Sequence, residues 1–193
     1  MKAKKYIYRL NKNIEVYKAY IKDKKLLNYF KNKIKKEIGG NNYNTNVKGK
    51  MSLFDTFIDD KKFSDFINNN FLREMYYMTG IEPLSFDNFQ MVITSAWGNI
   101  LHKGDYVKDH EHGSCQYSTC LYFSKGEPFR TEIGDFEIEE GLLLSVPGYL
   151  KHWVNPVKEK ERITLVWNWN IMNRDFKSSN NLTTNNLTKW KEI

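Results

Sequence analysis

Asp109-His110-Glu111-His112-Gly113-Ser114-Cys115-Gln116-Tyr117-Ser118 is the stretch from which the rest of the chain is read. The protein has four histidines, and three of them fall here and at His152, inside Gly148-Tyr149-Leu150-Lys151-His152-Trp153-Val154. His110 and His112 stand at i and i+2, a spacing that turns both side chains to one face of a β-strand. Neutral imidazole is a good ligand for Fe(II), Zn and other first-row metals. A single histidine is more often a core or surface residue than a ligand. Three in this arrangement, with one elsewhere, point to a metal held by His110, His112 and His152. In a jelly roll these positions converge at the mouth of the barrel. His102 falls in a turn and is expected to be exposed.

Downstream, Glu161 to Asn170 alternates over its whole length, which reads as a strand. Arg162, Thr164, Val166, Asn168 and Asn170 share one of its faces. An arginine facing into a barrel is costly unless an anion meets it. Guanidinium pairs with carboxylate in a bidentate fork, so Arg162 is a candidate anion clamp, with the Thr164 hydroxyl beside it. The plainer alternative is a surface strand with Arg162 paired to Glu159 or Glu161.

Other strand signals lie in Phe89–Trp97, Gln116–Phe123, a Thr131–Ile138 hairpin around Gly134-Asp135, and Leu142–Val146 between Gly141 and Pro147-Gly148. Lys103-Gly104-Asp105 and Lys125-Gly126-Glu127-Pro128 read as turns. Lys5–Leu10 reads as a short edge strand. Asn13–Ile38 reads as helical in one or two pieces, with faces Ile14/Tyr17/Ile21 and Leu27/Phe30/Ile34/Ile38. Lys22-Asp23-Lys24-Lys25 is where it would divide, and Gly39-Gly40 reads as a stop. Asn41–Lys50 reads as a polar loop. A second helix, capped by Asp59 or Asp60, carries Phe63, Phe66, Ile67, Phe71 and Met75 on a packing face and ends at Gly80.

Helices first and about eight short strands after them predict an α+β chain, a β-sandwich or jelly roll with helices packed on one face. We expect one domain over 1–193: mainly helical support in 1–82, a jelly-roll core in 83–172 and a polar tail in 173–193.

Composition is that of a soluble globular protein, 40% hydrophobic and 27% charged. No run of about 18 apolar residues exists, so no membrane span is expected. The basic start, Met1-Lys2-Ala3-Lys4-Lys5, lacks the apolar stretch of a secretory signal. Cys115 and Cys120, five apart on one expected strand, read as reduced thiols in an intracellular, cytoplasmic setting. The net charge of +7 is uneven: residues 1–37 hold thirteen Lys/Arg against three Asp/Glu, or +10, leaving −3 for the rest. Such a layer can attract nucleic acid or an acidic protein. Its commoner meaning is a solvated helix face.

Trp97-Gly98-Asn99, Gly104, His110-Glu111-His112, Ser118, Tyr122, Gly141, Pro147, His152, Arg162 and Asn168 together resemble the 2-oxoglutarate/Fe(II)-dependent oxygenases. The resemblance is to phage and bacterial members related to prolyl hydroxylases. It runs from Phe89 to Asn170, under half of the chain, with a weaker likeness to phage-type members in Asn46–Ser52. It implies a double-stranded β-helix with Fe(II) at its open end, held by His110, His112 and His152. It places Arg162 on the distal carboxylate of 2-oxoglutarate, with Thr164 as a hydroxyl helper and Asn99 near the cosubstrate. Tyr122 and Ser118 fall on the ligand parity of their strand. The implied activity is a dioxygenase that hydroxylates a peptide, protein or other organic substrate, with nucleic acid as an alternative substrate. The implied location is cytoplasmic, the host cytoplasm if the protein is viral. Trp97, Tyr149 and Trp153 are candidates for the cleft.

One departure matters. The family's metal motif has a carboxylate where this chain has His112. Either the site is three-His or Glu111 enters through a local kink. Two competing readings follow: a three-His cupin-type dioxygenase that needs no 2-oxoglutarate, and a jelly-roll binding module without redox chemistry.

Overall fold

The computed structural model describes residues 1–9, 13–38, 45–81 and 88–173, and the backbone of 191–192. Its centre is a pair of antiparallel sheets. The larger is built from β1 (Lys4–Arg9), β2 (Asn13–Tyr20), β10 (Leu142–Pro147), β7 (Tyr117–Tyr122), β12 (Glu161–Asn173), β5 (Phe89–His102) and β13 (Lys191–Glu192), in that spatial order; β4 (Lys50–Met51) also pairs with β5. The smaller has the order β3 (Val47–Lys48), β6 (Tyr106–His110), β11 (His152–Val154), β8 (Gly126–Thr131), β9 (Gly134–Ile138). From β5 onward the chain crosses between sheets: β6 in the small one, β7 in the large, β8 and β9 in the small, β10 in the large, β11 in the small, β12 in the large. That winding is a double-stranded β-helix.

Apolar residues from both sheets meet between them. Val16, Leu144 and Val146 from the large sheet pack with Phe129, Phe136 and Ile138 from the small one, closing one end of the barrel. The helices cover the outer face of the large sheet, as expected. Helix α1 (Lys24–Glu37) starts where the Asp23 carboxylate accepts from the Lys25 and Leu26 amides at 2.9 and 3.1 Å. It buries Leu27, Phe30 and Ile34, one stripe at helical spacing. Gly98 of β5 lets it approach: a Cβ there would sit 2.5 Å from the Ile34 side chain. Helix α2 (Lys61–Phe66) is capped by Asp60 and runs through a wider π turn (Ile67–Phe71) into α3 (Leu72–Met78). The π turn keeps Ile67 and Phe71 buried while Asn68, Asn69 and Asn70 face outward.

Four expectations need correction. Asn13–Tyr20 is a strand, not a helix. It pairs with both β1 and β10 and is buried on both faces: Ile14 and Val16 look into the barrel, Tyr17 and Ala19 toward the helices. A strand covered on both sides loses its polar alternation and imitates a helix pattern. Gly126-Glu127-Pro128 is not a turn but the start of β8, where the proline sits at a register shift between Gly126 and Phe129. Bulges are where a strand tolerates proline. The polar 41–50 segment ends in β3 and the start of β4 rather than in loop. Cys115 precedes β7 instead of lying on it. Gly39-Gly40 and most of the tail lie outside the described residues; Lys191–Glu192 pairs with Ile93 and Val92 of β5.

Part of the N-terminal basic charge is paired locally: Lys24 with Glu140, Lys33 with Asp60 and Lys35 with Glu161, at 2.6, 3.0 and 2.8 Å. No helix among the described residues is long and apolar enough to cross a membrane.

Candidate metal centre

The antiparallel pairing of β6 with β11 sets His110 directly opposite His152, ring centroids 4.3 Å apart. β6 ends at His110, so His112 comes from the loop beyond it and not from the strand. Backbone bonds hold that loop. The His112 amide donates to the Gly148 carbonyl at 2.7 Å, and the Gly148 amide donates to the Gln116 carbonyl at 2.8 Å. Only glycine fits at 148, since a Cβ would lie 2.2 Å from the Cys115 carbonyl oxygen and 2.5 Å from that of His112. The loop therefore closes against the turn that follows β10, and the His112 ring lies 5.0 and 5.1 Å from those of His110 and His152.

One ring nitrogen from each of the three histidines falls within 4.8 Å of the others. The Nδ1 atoms of His110 and His152 lie 2.9 and 2.8 Å from the carbonyl oxygens of Lys108 and Leu150. A carbonyl only accepts, so these Nδ1 atoms carry the hydrogens and the Nε2 lone pairs are left for a ligand. Burial lowers the pKa of His110. Burial and the neighbouring imidazoles lower His112 to about 4 and His152 to about 3. All three are neutral at pH 7, the protonation state a metal needs. Among the described residues no Asp, Glu or Cys joins the cluster. Glu111 lines the cavity nearby but is exposed and stands outside the ligand group, so the arrangement is three imidazoles. The residues present fit a divalent metal ion.

The histidines open onto a cavity of about 520 Å³. Its wall on β12 is Arg162, Thr164, Val166 and Asn168; on β5 it is Ser95, Trp97 and Asn99; on β7 it is Cys120. Arg162 is 3% exposed, and neither Glu159 nor Glu161 pairs with it. Among the described residues no carboxylate lies in ion-pair range of Arg162. Its guanidinium lies 5.2 Å from the centre of the Tyr122 ring instead. Arg162 Nε and Asn99 Oδ1 are buried without a hydrogen-bond partner. The Asn99 amide nitrogen donates to Thr164 Oγ1 at 3.4 Å. A buried guanidinium with no carboxylate partner, beside unsatisfied polar groups, could hold an anion.

The structure thus brings His110, His112, His152, Arg162, Thr164 and Asn99 to one cavity. Tyr122 lies behind the guanidinium and does not line the cavity, and neither does Ser118, which is buried opposite Asn168. His102 is exposed. Trp97 is a cavity wall, packed with Met51 and Val166, and sits 5.1 Å from Phe54. Trp153 and Tyr149 lie on separate surface hollows instead. Sequence reasoning did not place Thr45, Asn46, Val47, Met51 and Phe54 in the site; they wall the cavity from the segment that carries the short edge strands β3 and β4. Nothing in their spacing signals this; the backbone of 52–57 is laid along β5 by bonds to Gly98 and Ala96. Burial pushes the thiols of Cys115 and Cys120 up to about 12 and about 11, so neither is a nucleophile at neutral pH.

No protein-family model matches the chain, and no curated protein matches its sequence. Solved structures do match. An oxidoreductase of the 2OG-Fe(II) oxygenase family from Burkholderia pseudomallei superposes with TM-score 0.58 at 12% identity, over 79% of this chain and 83% of that one. The viral collagen prolyl hydroxylase of Paramecium bursaria Chlorella virus-1, solved as a 2OG complex, gives 0.58 at 14% identity over 80% and 94%. A Pseudomonas putida prolyl-4-hydroxylase gives 0.57 at 12% over 80% and 91%. At these identities the likeness shows the fold, the double-stranded β-helix already traced in the strand order.

Proposed function

We propose that the chain is a 2-oxoglutarate- and Fe(II)-dependent oxygenase, one unit over residues 1–193. The observation that carries this is a single cavity holding both three converging neutral imidazoles and a buried arginine without a carboxylate partner. His110, His112 and His152 would hold the iron, which when bound supplies oxygen activation coupled to oxidative decarboxylation of 2-oxoglutarate and oxidation of a substrate C–H bond. Arg162 would clamp the distal carboxylate of 2-oxoglutarate, with the Thr164 hydroxyl and the Asn99 amide beside it. The Tyr122 ring backs the guanidinium, and Trp97, Met51 and Val166 keep that wall dry. Two of the similar structures are prolyl hydroxylases, which favours a peptide or protein side chain as substrate. Nucleic acid is less well supported, because α1 and its lysines lie on the outer face of the sheet whose inner face walls the cavity.

Aerobic incubation with Fe(II), ascorbate and 2-oxoglutarate tests this reading. Succinate should form without added substrate, and His152→Ala should abolish it. Iron-loaded protein that forms no succinate would sink the 2-oxoglutarate reading. The three-imidazole set, with Glu111 outside it, favours a second reading: a three-His dioxygenase that oxidises its substrate without 2-oxoglutarate. Oxygen uptake by the iron protein that is indifferent to 2-oxoglutarate would select it.

A further inference from the structure

Two of the three imidazoles are oriented by the backbone. The carbonyl two residues before each ring, Lys108 for His110 and Leu150 for His152, faces its Nδ1. His112 lies past the end of β6, and what faces its Nδ1 is the side-chain amide of Asn168, 3.4 Å away. Asn168 comes from the inner face of β12 and is 7% exposed. Its backbone is set by a register shift against β5, where Thr94 is the extra residue; the Thr94 hydroxyl donates to the Asn168 carbonyl at 3.3 Å. As placed, the Asn168 amide nitrogen faces the ring while its Oδ1 is buried with no partner. The two ends of an amide are alike in shape, and the hydrogen-bond network decides which is which. Exchanging them puts the oxygen against His112 Nδ1, gives the acceptor its partner and turns the amide nitrogen to the opposite side.

We infer that Asn168 is the positioning residue of His112: its amide oxygen accepts the Nδ1 hydrogen and turns Nε2 toward the metal. All three rings then have the same polarity, each with an oxygen behind Nδ1 and each with Nε2 forward. Such outer partners fix the tautomer and raise ligand basicity, and losing one costs about 10–100-fold in metal affinity. The inference rests on the metal reading above, but not on the 2-oxoglutarate one.

The probe is Co(II) or Zn(II) alone, titrated calorimetrically into the metal-free full-length protein. Asn168→Leu keeps the branched shape and removes the acceptor; its Co(II) affinity should fall about 10–100-fold. Asn168→Asp restores a stronger acceptor and should bind at least as tightly as the wild type. A buried amide with only a packing role would show the opposite: Asn168→Asp would be the worse variant, since it buries a charge. Leu and wild-type proteins binding Co(II) equally, or Asp binding as weakly as Leu, would overturn the inference. A wild type that binds neither metal overturns the metal reading itself, a distinguishable result. Nitrogen-15 spectra of the Zn(II)-loaded wild type add a measurement free of folding effects. His112 should carry its hydrogen on Nδ1; a metal bound to Nδ1 refutes the role given to Asn168.

Discussion

The two faces of β12 are equally buried and chemically opposite. Outward, Ile163, Leu165, Trp167 and Trp169 enter the helix-covered core, where Trp167 lies 5.6, 6.2 and 5.2 Å from the rings of Phe63, Phe66 and Phe71. Inward, Arg162, Thr164, Val166 and Asn168 wall the cavity. Burial alone does not separate structure from function here. Satisfaction does. On the outer side Trp169 Nε1 donates to Thr119 Oγ1 at 2.8 Å, and Thr119 and Ser145 share a hydrogen bond of 2.6 Å; the indole nitrogen of Trp167 is the exception. On the inner side Arg162 Nε and, across the strands, Asn99 Oδ1 are left without partners, and Asn168 meets only the ring of His112. Unsatisfied buried polar groups cost stability and persist where something else meets them.

The outer face should break hardest. Trp167→Ala empties a fully buried site lined by aromatic rings and should destabilise the fold by about 5 kcal/mol, the upper end for such truncations. Urea denaturation measures it. Whatever fraction stays folded should still bind Co(II) like the wild type; if affinity falls with stability, the two faces are not separable. On the inner side His152→Ala should lower Co(II) affinity at least about a thousand-fold, about 4 kcal/mol, with little change in the stability of the metal-free protein. A tenfold loss or less would remove His152 from the ligand set.

Acid distinguishes the faces more gently. The folded state holds His112 neutral down to about pH 4, whereas the unfolded chain takes up the proton below about 6.5. Stability contributed by His112 is therefore complete above pH 6.5 and is withdrawn as the pH falls toward 4. From pH 7 to 4.5 the metal-free protein should lose about 2.5 kcal/mol through this residue. His112→Gln should flatten that part of the stability–pH curve; an identical slope in the variant refutes the assignment.

The same comparison explains what could be read from the sequence. β12 was legible because its faces differ, apolar against polar, at a period of two. So were the histidines, since three of four sit at two places and their pairing needs only one strand end and its neighbour. β2 was not, because Ile14, Val16, Tyr17 and Ala19 are buried on both faces and the period vanishes. The outer cavity wall was not, because Met51 and Phe54 reach the site through backbone bonds to β5 that no side-chain pattern encodes. Ser118 shows the converse: its parity on β7 is that of Cys120, yet only Cys120 reaches the cavity, since parity fixes the face but not the depth.

Arg162 is where the inner face should separate most clearly from ordinary core. A residue that serves stability loses stability when replaced. A charge kept buried for a ligand should do the reverse, because its desolvation is uncompensated until the ligand arrives. Arg162→Met retains most of the apolar stem and removes the charge. The metal-free variant should melt no lower than the wild type. With Co(II) bound, its affinity for 2-oxoglutarate should fall about thirty-fold, about 2 kcal/mol, as expected for losing charge-assisted hydrogen bonds. Calorimetry and thermal denaturation on the same samples decide it. If the variant melts lower and binds 2-oxoglutarate as before, the guanidinium is held for its stacking on Tyr122. The inner face would then be core after all, with a metal site at its edge.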